Sequence, residues 1–252
     1  MAVATGYAIP RRGNLFPAFI IIGWRWISRN PAVAAAPVIV PFLFLYFLKI
    51  ISQYAFPGEV VGAMLFISQN VGNWVLGDSA TWRIQWSIQD MFVASPLTKL
   101  QYLFGIAISN VLAALPAYVV LGIVLALVYP VSPLGWLFLV ISILVLWLLF
   151  SAIGIAISSR ITSRREIWPI GNFVFTAVGI LSPLYYPVEV LPPYLRTVAY
   201  FLPGTYAALF AKGGLGMISI SAAQLALYGL LLAVLTTVGI LLSLSVYRWR
   251  VG

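Results

Sequence analysis

From Leu100 to Ser159 the chain carries no charged side chain. As a single helix that stretch would reach about 90 Å, roughly three times the hydrocarbon thickness of a bilayer. It must therefore fold back, and Tyr129-Pro130-Val131-Ser132-Pro133 is the turn chemistry placed to do so. Two crossings follow, at about 100–128 and 134–158, with Pro116 kinking the first. A chain that is 63% apolar and 8% charged cannot hide its side chains in a soluble core. The fold class is an all-α polytopic membrane protein.

Four further apolar runs, at about 31–48, 60–77, 167–184 and 221–246, complete six transmembrane helices. Pro37 and Pro41 are expected to kink the first span. Gln69, Asn70 and Asn73 of the second should face other helices, where their amides can find partners. The net charge of +9 is distributed by topology. Arg11, Arg12, Arg25 and Arg29, then Arg83 and Lys99, then Arg160, Arg164 and Arg165, then Arg248 and Arg250 sit at the ends of apolar runs on alternate sides. Lys49, Arg196 and Lys212 are left for the other side. That is the positive-inside pattern of a chain with both termini in the cytoplasm, not a phosphate-tracking patch, so no nucleic-acid partner is expected. Residues 1–13 lack a signal peptide's apolar core, and a retained N-terminus is expected.

Residues 1–31 form an N-terminal cytoplasmic segment ahead of the transmembrane domain at 32–252. Within it, 14–29 wind into an interfacial amphipathic helix with Asn14, Arg25, Ser28 and Arg29 on one side. Leu15, Phe16, Phe19, Ile20, Trp24, Trp26 and Ile27 cover the other, and Ile21 lies near the polar side. A snorkelling extension of the first span is the alternative.

Between the second and third spans lies a charged, Trp-rich island, Asp78 to Leu100. Wound as a helix over 80–94, it puts Arg83, Ser87 and Asp90 on a narrow polar stripe and Gln85 and Gln89 on a smaller one. Trp82, Ile84, Trp86, Ile88, Met91 and Phe92 cover the rest. Ser95-Pro96 ends it. Apolar and polar residues also alternate from Trp82 to Ile88, so a short strand is the rival, although it would leave backbone groups unpaired among membrane spans. A surface mixing Trp with charge concentrates binding energy at interfaces. The bland alternative is a helix packed on its own spans.

Residues 182–214 contain Pro183, Pro187, Pro192, Pro193 and Pro203, yet remain apolar and aromatic. The segment is too broken for a continuous span, and over 185–214 it reads as short re-entrant helices between spans five and six, with an ordinary loop as the alternative. Prolines stiffen such helices, so an outer gate is expected at Pro187, Leu191, Pro192, Pro193, Pro203 and Gly204, hinged at Gly204 and Gly213-Gly214. Tyr185, Tyr186, Tyr194 and Phe201 would line the exit or anchor the interface. Tyr247-Arg248-Trp249-Arg250 is read as an interface anchor after the last span.

With no cysteine, no histidine and five carboxylates, thiolate metal sites and Ser-His-Asp triads are excluded, and a membrane-embedded enzyme has no acid–base set to use. No G-x-x-x-x-G-K-[ST] phosphate loop occurs in the chain. A secondary transporter or channel would need ionisable groups within its spans, and Lys49, Glu59 and Asp78 all sit near predicted span ends.

Two motifs in order resemble those of the ABC-2 type transporter permeases, the membrane subunits of ABC exporters for drugs, polysaccharides and lipids. They are Asp90 shortly before Ser95-Pro96-Leu97, and the run Ser182-Pro183, Tyr186-Pro187, Glu189-Val190-Leu191-Pro192-Pro193 and Leu202-Pro203 before the last span. The chain departs from the family's pattern at Ser87-Ile88-Gln89, where Gly-Thr-Leu is common, and at Ile106, where a lysine often follows the glycine. The resemblance implies a permease that pairs with a second copy, identical or not, and with a separate ABC ATP-binding subunit that holds the ATP and Mg. No cofactor is bound by this chain itself. Arg83, Trp86, Asp90, Ser95, Pro96 and Leu97 would then couple to the ATPase, braced by Trp24, Arg25 and Arg29. The cargo would be an amphipathic, drug-like, lipid or glycan molecule moved by alternating access.

Overall fold

The structure, a computed structural model, describes residues 16–51, 56–247 and 249. Arg11, Arg12, Arg248 and Arg250 lie outside the described residues, as does the start of the expected interfacial helix. In chain order the helices are α1 (Phe16–Arg29), α2 (Pro31–Ile51), α3 (Phe56–Ile84), α4 (Ile88–Val93), α5 (Lys99–Val128), α6 (Pro133–Ser158), α7 (Ile167–Leu181), α8 (Pro193–Ala199), α9 (Pro203–Gly214) and α10 (Ala222–Val246). Single 3-10 turns occur at Arg164–Glu166 and Val188–Val190. No strand occurs among the described residues, which removes the strand reading of Trp82 to Ile88.

Among the described residues four helices, α3, α5, α6 and α10, are long and apolar enough to cross a membrane, and α2 holds a shorter apolar stretch, Pro37–Ile50. Helix α7, at 15 residues, is about 22 Å long and falls short of a bilayer's hydrocarbon core. The turn chemistry works as the sequence suggests. Ser132 accepts a hydrogen bond from the Gly135 N–H at 3.0 Å, and Pro133 occupies the first turn of α6, where a missing N–H costs nothing. Thr98 with Gln101 opens α5, and Ser221 with Gln224 opens α10, each through a reciprocal capping box. Helices α2 and α5 run unbroken through Pro37, Pro41 and Pro116.

Helix α3 is the central column, packed against α2, α4, α5, α6, α7 and α9. Its polar side chains survive because protein covers them. Gln69 Nε2 donates to the Phe175 carbonyl at 3.3 Å, Asn73 Nδ2 to Asn172 Oδ1 at 2.8 Å, and Asn110 Nδ2 to Asp78 Oδ2 at 2.9 Å. Gln69 and Asn73 thus face other helices as expected, while Asn70 is half-buried. Helices α3 and α6 cross where Gly72 meets the Phe150 carbonyl and Gly154 meets the Gly72 carbonyl. A Cβ at either glycine would overlap backbone.

Two boundaries differ from the sequence reading. The helix of the second span does not stop at Gly77, because α3 continues through Asp78 and Arg83 to Ile84. The partners on α5 and α6 let those charges lie inside a helix. Consequently 80–94 is not one coupling helix. Its first turns belong to α3, the chain breaks at 85–87, and α4 follows as a separate six-residue helix.

Candidate functional site

The chemistry collects at the two ends of α3, which lie about 36 Å apart given the helical rise between Glu59 and Arg83. One end is basic; the other is rich in proline.

At the basic end Arg83 turns inward. Its Nη1 donates to the Ser159 carbonyl at 3.3 Å, and its Nη2 donates to the carbonyls of Ser158 and, at 2.7 Å, Ile161. Ser158 and Ser159 end α6 and Ile161 lies in the turn after it, where the Ser158 carbonyl also accepts the Ile161 N–H at 3.2 Å, so the guanidinium caps the helix and the turn that leaves it. The expected stripe of Arg83, Ser87 and Asp90 therefore does not exist. Thr81 accepts the last α3 hydrogen bonds from the N–H groups of Gln85 and Trp86. Ser87 then takes φ 50°, the one non-glycine positive φ among the described residues. Glycine would adopt that conformation at no steric cost.

The break rotates α4 so that it has an outside and an inside. Trp86 and Met91 are 60% and 72% exposed, and Asp90, Ala94 and Pro96 are exposed beside them. On the inside, Gln89 is 2% exposed, and Phe92 stacks on Phe19 of α1 at 5.1 Å and on Trp82 at 6.2 Å. The Ser95 hydroxyl donates to the Phe92 carbonyl at 2.6 Å and accepts the Leu97 N–H at 3.4 Å. That turn drives Leu97 into the core and leaves Pro96 outside. Of the expected coupling residues, Trp86, Asp90 and Pro96 share the exposed face, Ser95 shapes the turn behind them, and Arg83 and Leu97 point away.

Helix α1 supplies the floor of this cluster. Phe19 is fully buried, its ring occupying the space a Cβ of Gly105 would need, and the Ser109 hydroxyl donates to the Phe19 carbonyl at 2.8 Å. Gly105 is thus dictated by α1 packing. Trp24, Arg25 and Arg29 are exposed on α1, together with Ile20, Ile21 and Ile22. The sequence places Tyr247 among the interface anchors after the last span. Instead it is buried at 3% exposure, because its hydroxyl and ring find partners on α3, α4 and α5. Tyr247, Gln89 and Met91 belong to this end although none of them is among the expected coupling residues. Long-range pairing has no local signature, and Met91 looks like any other apolar wheel position.

At the proline-rich end a cavity of about 540 Å³ opens between the start of α3, the segment after α7, α9 and the start of α10. Tyr129, Tyr185, Tyr186, Tyr200 and Tyr228 line it, with Pro187, Glu189 and Lys212. Lys212 Nζ donates to the Leu184 carbonyl at 2.8 Å, tying α9 to the chain leaving α7. Burial pushes the Lys212 ammonium down to about 8, against the opposing pull of the nearby Glu59 carboxylate. Glu59 Oε1 is buried without a hydrogen-bond partner. Arg196 Nη2 donates to the Glu189 carbonyl at 2.6 Å and the Leu191 carbonyl at 3.3 Å, stapling α8 to the turn before it.

Of the expected gate residues, Pro187 lines the cavity. Pro192 and Pro193 are exposed, with Pro193 opening α8, and Leu191 and Pro203 are half-buried, with Pro203 opening α9. Tyr194 and Phe201 stand outside the cavity. Gly204 sits in the first turn of α9, where a Cβ would lie 2.7 Å from Ser182 Oγ, so packing explains that glycine. Gly213 and Gly214 are likewise covered, by Ile220 and Phe138. The described glycine with positive φ is Gly216, at 74° in open space.

No curated protein matches this chain. Residues 15–211 match the ABC-2 type transporter family. That region takes in the central column, the α4 turn with its exposed Trp86 and Asp90, and the short proline-capped helices. The chain therefore belongs to the ABC-2 type transporters, as the multi-pass membrane permease part of an ABC transporter, a part with no ATPase domain or nucleotide site of its own that works with ABC ATPase subunits.

Proposed function

We propose that this chain is the permease of an ATP-driven exporter whose separate ATPase subunit pushes on the exposed face of α4. The observation that carries this reading is the two-sidedness of the α4 turn. Trp86, Asp90, Met91 and Pro96 form a mixed aromatic and charged surface, while Gln89, Phe92 and Leu97 root the same turn in the core. A patch so anchored receives force without unfolding, and Trp is a residue type that dominates interface energetics. Ser95 holds the turn, Arg83 and Leu97 fix its base, and Trp24, Arg25 and Arg29 brace the contact from α1.

The basic end is assigned to the cytoplasm because Arg25, Arg29, Arg83, Lys99, Arg160, Arg164 and Arg165 lie there. Six crossings then result if α2 and α7 complete the set begun by α3, α5, α6 and α10, with both termini cytoplasmic. Residues 1–31 form a cytoplasmic segment whose α1 lies along the membrane surface, its exposed isoleucines and Trp24 meeting inner-leaflet lipid. A second permease copy completes the pathway, and the partner ATPase holds ATP and Mg. The tyrosine-lined cavity is the exit vestibule, closed by the unit that Pro187, Leu191, Pro192, Pro193, Pro203 and Gly204 stiffen. Gly216 is a better pivot for that unit than Gly204. Rings with a few polar groups suit an amphipathic cargo, drug-like, lipid or glycan.

Asp90→Ala and Trp86→Ala, assayed for complex assembly and for ATPase stimulation, test the reading. Both should lose stimulation; wild-type behaviour in both assays would end it.

A further inference from the structure

Helix α4 is too short to hold its own direction. Six residues form little more than one turn, and isolated helices of that length do not persist in water. It is joined to α3 through left-handed Ser87 and to α5 through the turn at 94–98, so side-chain contacts must fix its angle. Phe92 supplies an apolar contact. The directional contacts come from the residues just after α10.

Tyr247 and Trp249 close over Gln89 from 158 and 160 residues away. The Tyr247 hydroxyl donates to Gln89 Oε1 at 2.8 Å and accepts from Ser79 Oγ at 3.4 Å, and Ser79 Oγ in turn accepts from Ser158 Oγ at 3.0 Å. Gln89 Nε2 donates to the Trp249 carbonyl at 3.1 Å. Lys99 Nζ holds the tail from the other side, donating to the Tyr247 carbonyl at 2.6 Å and to the Leu244 carbonyl. Tyr102 meets the Trp249 ring at 5.0 Å. Residues of α3, α4, α5 and α6 thus converge on the end of α10, and the buried amide of Gln89 is engaged through both its oxygen and its nitrogen.

We propose that Tyr247, with the Trp249 carbonyl, is a positioning clasp that locks α4 to the last span, so that α4 and α10 move as one body when the ATPase pushes. The clasp rests on the reading of α4 as the ATPase contact. It adds a route from α4 to α10 that does not pass along α3, and α10 packs directly on α9, which walls the cavity at the far end. Tyr247 is a positioning residue, since the cytoplasmic partner need not touch it.

The chain contains no cysteine, so introduced thiols are unique labelling sites. Ala94→Cys with Leu241→Cys, both at exposed positions, would carry spin labels on the full chain in nanodiscs, alone and in complex with its ATPase. The α4–α10 distance should be a single narrow distribution that does not change between the nucleotide-free and ATP–vanadate states. Tyr247→Phe keeps the ring and Gln89→Met keeps the volume. Each should broaden that distribution and lower the kcat of the stimulated ATPase about fivefold, roughly the equilibrium factor of one net hydrogen bond, with KM for ATP unchanged. The double variant should be no worse than either single one. Narrow distributions in both variants would overturn the clasp, as would broadening with wild-type kcat. If Trp86→Ala assembled and stimulated normally, the α4 docking reading would fall, and with it the positioning role, even though the distances in the chain alone still reported the lock.

Discussion

The two ends of the bundle use the same side chains for opposite purposes. At the basic end, rings fill space: Phe19, Trp82, Phe92, Tyr102, Tyr247 and Trp249 touch one another at centroid separations of 5.0 to 6.5 Å. At the proline-rich end, Tyr129, Tyr185, Tyr186, Tyr200 and Tyr228 surround a cavity of about 540 Å³ instead. Charges divide in the same way. Arg83 and Lys99 are spent on backbone carbonyls that finish α6 and α10, whereas Lys212 faces the cavity near a carboxylate with an unpartnered oxygen. On the proposed reading the filled, tightly bonded end transmits force, and the open end, lined with hydroxyls and Lys212, takes the cargo.

The sharpest way to break this contrast is at Arg83. Arg83→Ala takes the charged donor from the carbonyls of Ser158, Ser159 and Ile161, of which Ser158 keeps the Ile161 N–H, and bonds from a charged donor are worth about 1.5 to 3 kcal/mol. A loss of about 3 kcal/mol in unfolding stability and failure to assemble with the ATPase are expected, with Arg83→Lys restoring part of both. Trp86→Ala should leave the fold intact yet weaken ATPase binding about 30-fold, the size of a ~2 kcal/mol interface hot spot. Tyr194→Ala, at a still more exposed ring at the other end, should leave that binding unchanged in the same titration.

Two glycines compare the packing directly. Gly105→Ala must displace the Phe19 ring and should cost about 1 to 3 kcal/mol. Gly204→Ala meets Ser182 Oγ at 2.7 Å and Ser182 Cβ at 2.9 Å, of which only the hydroxyl can turn away, and should cost about 1 kcal/mol, the lower end of that range. Thermal unfolding of the two variants side by side measures the difference.

A further effect belongs to the open end alone. Lys212 is held at about 8 in the folded chain against 10.5 for the free group. Between those values the unfolded chain binds the extra proton, so stability should rise with pH there, and the penalty is complete below 8. Burial raises the Tyr185, Tyr186 and Tyr200 hydroxyls around the same cavity, away from that window. Unfolding of the wild type at pH 8 and 9.5, minus that of Lys212→Met, isolates the slope. A flat difference would contradict the burial of Lys212. Last and smallest, Ser87→Gly should stabilise by at most about 1 kcal/mol, since only the left-handed strain is relieved.

Much of the helical order was legible because its signals are local. The charge-free run and its Pro-Val-Ser-Pro turn produce α5 and α6 almost to the residue, and Pro193 and Pro203 start helices as their fixed φ favours. What the sequence concealed depends on distant partners. Hydropathy places a boundary at Asp78, yet Asn110 on α5 lets α3 continue, and Arg83 looks like a surface cation until the end of α6 is set beside it. The pairing of Gln89 with Tyr247 has no periodicity to betray it. Gly204 reads as a hinge in a proline-rich segment, and only the packed Ser182 shows why glycine is required.

The most direct measurement concerns the exposed side of α4. Met91→Cys, a unique thiol in this chain, would be probed with a membrane-impermeant maleimide in sealed vesicles of each orientation, with and without the ATPase. Reaction from the cytoplasmic side alone, suppressed when the ATPase is bound, is the expected result. Reaction from the opposite side, or labelling that the ATPase does not slow, would contradict the claim that a separate motor drives this permease through α4.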